Sequence, residues 1–240
     1  MTTLTHKGVS MKQNVILAGV GGQGILTIAQ AISTAALKRG LHVKQAEVHG
    51  MAQRGGGVQS HLRLSDQEIY SDLIPTGQLD LLISVEPLES LRYLHYLSEG
   101  GALVSSVNAF VNIGNYPPIE SVLDRVADHP RHVLIDADRI GRAAGSGRAA
   151  NIAILGASSL FMDIEANDLE EAVAEMFARK GERVVEVNRR ALRRGRHNGN
   201  TVWRAFIDIC CGPRPSSNHV RLCVRYQILV RRGKALPSRG

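Results

Sequence analysis

Apolar and polar residues form two alternating kinds of pattern along this chain. Short apolar runs bounded by turn residues predict buried strands, and longer segments with apolar residues every three or four positions predict helices. Residues 58–64 show the alternation of a half-exposed strand. The predicted strands are 14–19, 42–48, 58–64, 79–85, 102–107 and 132–137. The predicted helices are 24–39, 87–97, 119–127, 137–144, 148–162, 167–179 and 182–194.

Strands that alternate with helices are typical of an α/β protein whose sheet is covered by helices on both faces. We therefore predict a Rossmann-like three-layer fold with a largely parallel sheet and a helical C-terminal third. At 240 residues the chain has room for one such domain and an appendage. We place the domain at residues 1–195 and an atypical basic tail at 196–240.

Charge sets the end of the chain apart from the rest. Residues 1–190 hold 18 Lys and Arg against 21 Asp and Glu, a net charge of −3, whereas residues 191–240 hold 11 against 1, a net charge of +10. All three cysteines, Cys210, Cys211 and Cys223, also lie there without the paired C-x-x-C spacing of a metal site. The tail is open to interpretation as a disordered extension, a partner-binding segment or a frame-shifted segment. A nucleic-acid-binding arm is a further alternative, which we do not favour.

Two features bear on location. No run of about 18 apolar residues is present, so we expect no membrane span. The first ten residues lack the apolar core of a signal peptide. We predict a cytoplasmic protein.

Closely spaced glycines follow the first predicted strand and precede the first predicted helix. Gly19, Gly21 and Gly24 match the pattern G-x-G-x-x-G, with Gly22 and Gln23 between them. A helix that begins at such a turn presents free N–H groups and the positive end of its dipole, which suits a phosphate. The alternative is that the glycines only allow a strand and a helix to pack closely.

A second glycine-rich loop follows the strand 42–48. Glu47 lies 23 residues after Gly24, close to where NAD-binding units carry the acidic residue that holds the ribose. A free-standing NAD(P)- or flavin-dependent oxidoreductase is therefore one hypothesis. A crossover helix should follow in that case, but the chain continues instead through a loop that suits an anionic ligand or another chain. That loop and its flanks contain His49, Gln53, Arg54, Gly55, Gly56 and Gln59.

Two more polar residues are candidates for the site. Glu86 directly precedes Pro87 at the carboxyl end of a central strand, where α/β sheets bind ligands, and it could equally cap the helix that begins at Pro87. Asn151 lies in an apolar helical stretch, where its amide needs a partner. That partner is either a ligand or a buried structural group.

These segments together resemble a known family. Residues 19–25, 47–56, 58–63, 71–75 and 80–88 look like the gamma domain of the 2-oxoacid:acceptor oxidoreductases, and most of all like the beta subunits found in its indolepyruvate:ferredoxin branch. The likeness runs from about Asn14 to Gly195. It is specific in the first hundred residues and fades in the tail.

The resemblance implies a subunit of a complex that oxidatively decarboxylates aryl-2-oxoacids to aryl-acetyl-coenzyme A and reduces ferredoxin. Thiamine diphosphate, Mg²⁺ and [4Fe-4S] clusters are then expected on a larger catalytic subunit, with coenzyme A as co-substrate. We expect no catalytic residue, no bound cofactor and no metal on this chain alone. The glycine turn and the second loop should face the partner, with Arg54 binding an anionic group of coenzyme A or the oxoacid carboxylate and with Glu47 and Gln59 as orienting residues.

Overall fold

A computed structural model of the chain describes residues 11–49, 55–111 and 113–210. Within these residues lie six strands and seven α-helices. The strands are β1 (Lys12–Val20), β2 (His42–His49), β3 (Gly57–Ser65), β4 (Leu79–Ser84), β5 (Leu97–Ser106) and β6 (His132–Ile135). The helices are α1 (Ile25–Lys38), α2 (Pro87–Arg92), α3 (Ile119–Ala127), α4 (Ala137–Ala144), α5 (Ala150–Ser158), α6 (Ala166–Phe177) and α7 (Glu182–Cys210).

The six strands form one sheet in the order β2-β3-β1-β4-β5-β6. β1, β4, β5 and β6 pair in parallel, whereas β3 runs antiparallel to both β1 and β2. Every strand except β3 therefore ends at the same side of the sheet, which we call the carboxyl edge. The predicted largely parallel α/β fold is confirmed.

Alternate residues of the strands enter two apolar cores, one on each face of the sheet. Val15 and Leu17 of β1 face the core formed with α1, α4, α5, α6 and α7. Ile16 and Ala18 face a smaller core, to which Leu123 of α3 contributes. A strand covered on both faces is apolar at nearly every position, which explains the continuous apolar run that predicted β1.

Two predicted helix boundaries were wrong. The helix predicted over 87–97 ends at Arg92, because a short 3₁₀ turn at Leu94–Tyr96 leads into β5, which starts at Leu97. The helix predicted to end at 194 continues to Cys210. Glycine is a poor helix former, so Gly195 and Gly199 in the sequence suggested an end that tertiary packing overrides.

The continuation of α7 packs against α5. A Cβ atom at Gly195 would lie 2.7 Å from the carbonyl carbon of Ala153, and one at Gly199 would lie 3.0 Å from the Cβ of Ala157. Farther along α7, the ring of Trp203 meets Phe161 edge to face, with centroids 5.1 Å apart. The domain boundary predicted after Gly195 thus falls inside a packed helix, and the division into two units stays a prediction. Residues 211–240 lie outside the described part of the chain.

Candidate functional site

The glycine turn between β1 and α1 is fixed by its own residues. Gln23 donates its backbone N–H to the carbonyl of Val20 at 3.1 Å and accepts the Val20 N–H on its side-chain oxygen at 2.8 Å. Gly22 and Gly24 have φ angles of 98° and 79°, a region that side chains other than glycine rarely adopt. Gln23 therefore holds the turn closed, while the start of α1 has no side-chain cap.

Two close contacts pack this turn against neighbouring elements. A Cβ atom at Gly19 would overlap the side chain of Val85. The amide of Asn151, at the start of α5, donates to the carbonyl of Gly24 at 3.1 Å, and its oxygen accepts from the N–H of Ile152 at 2.9 Å. The structure thus gives Asn151 a hydrogen bond to the glycine turn itself.

The second glycine loop lies directly against the first. Gly21 donates its N–H to the carbonyl of Gly56 at 2.9 Å. Gly55 has a φ angle of 76°. The antiparallel course of β3 explains the meeting, because β3 starts at the edge where β1 ends. Gln53, Arg54 and the side chain of His49 lie outside the described residues, so their predicted roles remain predictions.

Glu47 and Gln59 lie on the neighbouring strands of this edge. Glu47 is exposed on β2 and accepts a hydrogen bond from the amide of Gln45 at 2.8 Å. Gln59 on β3 is partly buried, and its side-chain oxygen has no hydrogen-bond partner among the described residues. A pocket of about 430 Å³ is lined by Gly21, Gly22, Gly24, Leu26, Glu47 and Val58.

The position of Glu47 differs from that in an ordinary dinucleotide-binding unit. There the strand with the acidic residue lies next to the first strand. Here β3 separates β2 from β1. With neighbouring strands about 4.8 Å apart, Glu47 is one strand spacing farther from the glycine turn than the dinucleotide arrangement requires.

Glu86 is buried, and its carboxylate accepts three hydrogen bonds. One carboxylate oxygen caps α2 by accepting the N–H of Glu89 at 2.8 Å. The other accepts the hydroxyl of Tyr116 at 2.5 Å and the N–H of Phe110 at 3.3 Å. Burial, together with this bond to a carboxylate, raises the pKa of the Tyr116 hydroxyl well above its usual value. Of the two roles predicted for Glu86, the structure shows the helix cap.

Sequence reasoning missed a polar cluster at the ends of β5 and β6. The Asn108 side chain donates to the carboxylate of Asp136 at 3.0 Å, and its oxygen accepts from the Ser106 hydroxyl at 2.7 Å and from the N–H of Asp138 at 3.1 Å. A pocket of about 500 Å³ adjoins it. The signal was available for Asn108, which directly follows the predicted strand 102–107. Asp136 was instead placed inside the predicted strand 132–137, which ends at Ile135 in the structure.

Buried Glu89 was missed as well, and it faces the second loop. A Cβ atom at Gly57 would lie 2.7 Å from its carboxylate. Burial raises the pKa of this carboxyl, and the guanidinium of Arg92, 3.1 Å away, opposes the effect. A side chain at position 57 would therefore require the Glu89 carboxylate to shift.

Two glycine loops thus line the carboxyl edge of the sheet, and comparison with known proteins identifies the family to which this arrangement belongs. The family model described as pyruvate ferredoxin/flavodoxin oxidoreductase matches residues 14–197. The chain belongs to this family. Membership confirms the resemblance and the prediction of a subunit of a 2-oxoacid:ferredoxin oxidoreductase. It gives no support to a free-standing NAD(P)- or flavin-dependent enzyme.

Three similar proteins show how far the likeness extends. Indolepyruvate oxidoreductase subunit IorB from Archaeoglobus fulgidus is 35% identical, over 77% of this chain and 94% of its own length. The gamma subunit of a keto/oxoacid ferredoxin oxidoreductase from Geobacter sulfurreducens has the same fold, with 24% identity, a TM-score of 0.59 and coverage of 80% of this chain and 98% of that one. A 2-oxoglutarate:ferredoxin oxidoreductase from Magnetococcus marinus matches with 22% identity and a TM-score of 0.65, over 79% of this chain but only 31% of its own.

The described residues contain neither a membrane-spanning helix nor a group of side chains able to hold a metal ion. No helix between residues 11 and 210, leaving aside 50–54 and 112, combines the length and apolar character needed to cross a bilayer. In the same residues, no three His, Cys, Asp or Glu side chains gather closely enough to hold a metal ion.

Proposed function

We propose that this chain is the small subunit of a cytoplasmic indolepyruvate oxidoreductase and that it is inactive without a larger catalytic subunit. The observation that carries the proposal is the match to the Archaeoglobus IorB, which spans 94% of that protein at 35% identity. A likeness over nearly the whole length of a subunit supports the same role in a complex.

The Magnetococcus protein supports the proposal that this chain works with a larger partner subunit. There the shared fold makes up 31% of one longer chain of a 2-oxoglutarate:ferredoxin oxidoreductase, so further parts of that chain are attached to it covalently. In the present system the corresponding parts would be a separate subunit. We assign thiamine diphosphate, Mg²⁺ and the [4Fe-4S] clusters to that subunit, and ferredoxin contacts this chain only through the complex.

The two glycine loops are our candidates for the side that completes the active site. They meet through the Gly21–Gly56 hydrogen bond at the carboxyl edge, where α/β sheets bind their ligands. The uncapped start of α1 adds N–H groups that favour an anion. Coenzyme A, which is bound in the Magnetococcus structure, has phosphates that suit such a surface.

A co-purification tests the function. The tagged chain is expressed with the large subunit under anaerobic conditions, and the complex is assayed for ferredoxin reduction with indolepyruvate and coenzyme A. Pyruvate and 2-oxoglutarate serve as control substrates. We expect a brown complex that uses indolepyruvate at least tenfold better than either control. A colourless chain that never associates with the large subunit would refute the proposal.

Arg54 lies outside the described residues, and its assignment rests on the sequence. A guanidinium binds carboxylate and phosphate oxygens in pairs, which an ammonium cannot do. We expect Arg54→Ala, and to a lesser extent Arg54→Lys, to raise the KM for coenzyme A or for the oxoacid. Arg125→Ala, which changes an exposed residue of α3 at a salt bridge with Asp128, is the control. Unchanged KM values for both substrates would remove Arg54 from the site.

A further inference from the structure

Exposed apolar side chains gather at one side of the molecule. Nine large hydrophobic residues are exposed in the described part of the chain, and five of them lie at the carboxyl edge. Leu26 lies in the first turn of α1, after the glycine turn, and Val48 lies near the end of β2. The other three, Phe110, Val111 and Ile113, lie in the segment between β5 and α3. We call residues 107–111 and 113–118 the apolar loop.

Val111 is the most exposed of the five. Its side chain is 71% accessible, against 44% for Phe110 and 38% for Ile113. Three large apolar residues within four positions are costly to leave in water, because each would gain from burial. Soluble proteins keep such patches small unless they bind something there.

The apolar loop is held at both of its ends. Asn108 at its start is fixed by Asp136, Ser106 and the N–H of Asp138. Beyond the apolar residues, Tyr116 donates its hydroxyl to Glu86. Glu86 is 1% exposed and also accepts the N–H of Phe110, so its buried carboxylate ties down the middle of the loop. These bonds thus hold the loop at Asn108, Phe110 and Tyr116, on both sides of Val111.

A chain of contacts joins the apolar loop to the glycine loops. Gly56 bonds to Gly21, and its neighbour Gly57 lies against the carboxylate of Glu89. The N–H of Glu89 bonds to Glu86, which in turn holds Phe110. Both loops also lie at the carboxyl edge, because β1 and β5 run in the same direction with only β4 between them.

We propose that the apolar loop docks this chain onto the catalytic subunit, with Phe110, Val111 and Ile113 buried against an apolar surface of that partner. The inference rests on the proposed function and adds the place of contact. The occupant follows from position: the subunit proposed to reach the glycine loops lies at the carboxyl edge, where the apolar loop also follows the end of its strand, two strands away.

The opposite edge of the sheet supplies matched controls. Leu73 and Tyr70 are 53% and 86% exposed in the segment that follows β3. That segment is also well held, because Arg63 donates to the carbonyls of Ser71 and Leu73 at 2.8 and 3.2 Å. A charge introduced at Leu73 tests the effect of an exposed substitution that lies away from the proposed interface.

The experiment compares Val111→Asp with Leu73→Asp in the co-expressed complex. The quantities measured are the amount of small subunit recovered per tagged large subunit, the Kd for reassociation of the separated subunits, and the thermal midpoint of each free chain. We expect Val111→Asp to weaken association at least tenfold, with Ile113→Asp acting in the same direction. Leu73→Asp should associate like the wild type, and all free chains should unfold at the same temperature.

The outcomes separate the two proposals. Normal association of Val111→Asp and Ile113→Asp, in a complex that is active with the wild-type chain, would overturn the docking site and leave the proposed function in place. Loss of association with Leu73→Asp alone would move the interface to the opposite edge. Failure of the wild-type chain to associate at all would instead overturn the function on which this inference rests.

Discussion

Replacing Gly195 with alanine should destabilise the chain, because the new methyl group has no room. It would overlap the carbonyl oxygen of Ala153 and lie 2.7 and 2.8 Å from the carbonyl carbon and Cα of that residue. Carbon atoms in contact are normally about 3.5 Å apart, so α5 and α7 would have to separate by roughly 0.8 Å or more. The neighbour is helix backbone, which cannot move aside as a flexible side chain could.

The size of the effect follows from two opposing contributions. Overpacking of this kind costs up to about 3 kcal/mol, whereas alanine favours the helix over glycine by about 1 kcal/mol. The net loss is about 2 kcal/mol. For a chain of this size, that lowers the thermal midpoint by about 4 to 8 °C.

Thermal unfolding followed by far-UV circular dichroism measures the effect. Asn198→Ala is the control, since it changes an exposed residue of the same helix and also raises helix propensity. Gly199→Ala should fall between the two, because its methyl group would be 3.0 Å from the Cβ of Ala157, a contact that small adjustments relieve. A thermal midpoint for Gly195→Ala equal to or above that of the wild type would show that α5 and α7 do not cross as described.

Three further predictions concern buried groups and the end of the chain. The His61 ring accepts the N–H of Ile74 at 3.1 Å, and burial lowers the pKa of the ring. The contribution of His61 to stability is therefore complete when the pH is above the ordinary pKa of histidine, and it is lost as the pH falls through the lowered pKa. The thermal midpoint of the wild type should therefore fall more than that of His61→Gln between about pH 7.5 and about pH 5, and equal slopes would contradict this. Burial raises the pKa of the Glu89 carboxyl. The contribution of Glu89 to stability is therefore complete when the pH is below the ordinary pKa of glutamate, and it is lost as the pH rises through the raised pKa. Glu89→Gln should resist unfolding by urea better than the wild type at neutral pH, and this gain in stability should disappear in acid. A difference in stability that stays the same at all pH values would show that burial of the charged carboxylate is not its cause. Finally, a chain ending at Gly195 should unfold at a lower temperature than one ending at Cys210, because it lacks the Phe161–Trp203 contact, and equal midpoints would show that this part of α7 adds nothing.

The fold could be predicted largely because its signals are local. The alternation at 58–64 predicted β3, and the apolar run 14–19 that leads into the glycines predicted β1. Prediction failed at α7, whose glycines are breakers by propensity but points of close contact in the structure. Local sequence does not reveal which helix will cross at such a residue.

The candidate site was predicted less completely, for a related reason. The glycine turn has its own signature, whereas the Gly21–Gly56 bond depends on β3 inserting between β1 and β2. Strand order is a tertiary property that the pattern along the chain does not specify. Tyr116 likewise meets Glu86 across 30 positions, and no short-range signal announces that bond.

The outer position of β2 has a consequence for how this chain avoids unwanted association. In the part of the chain that the structure describes, β2 is the last strand on its side of the sheet and pairs only with β3. Its exposed residues include Lys44 and Glu47, and charged side chains on an edge strand discourage another strand from adding to the sheet. Aggregation through this edge is therefore opposed, although the outer side of β2 pairs with no other strand of the described residues. The contacts with a specific partner that we propose are instead made by the loops at the ends of the strands.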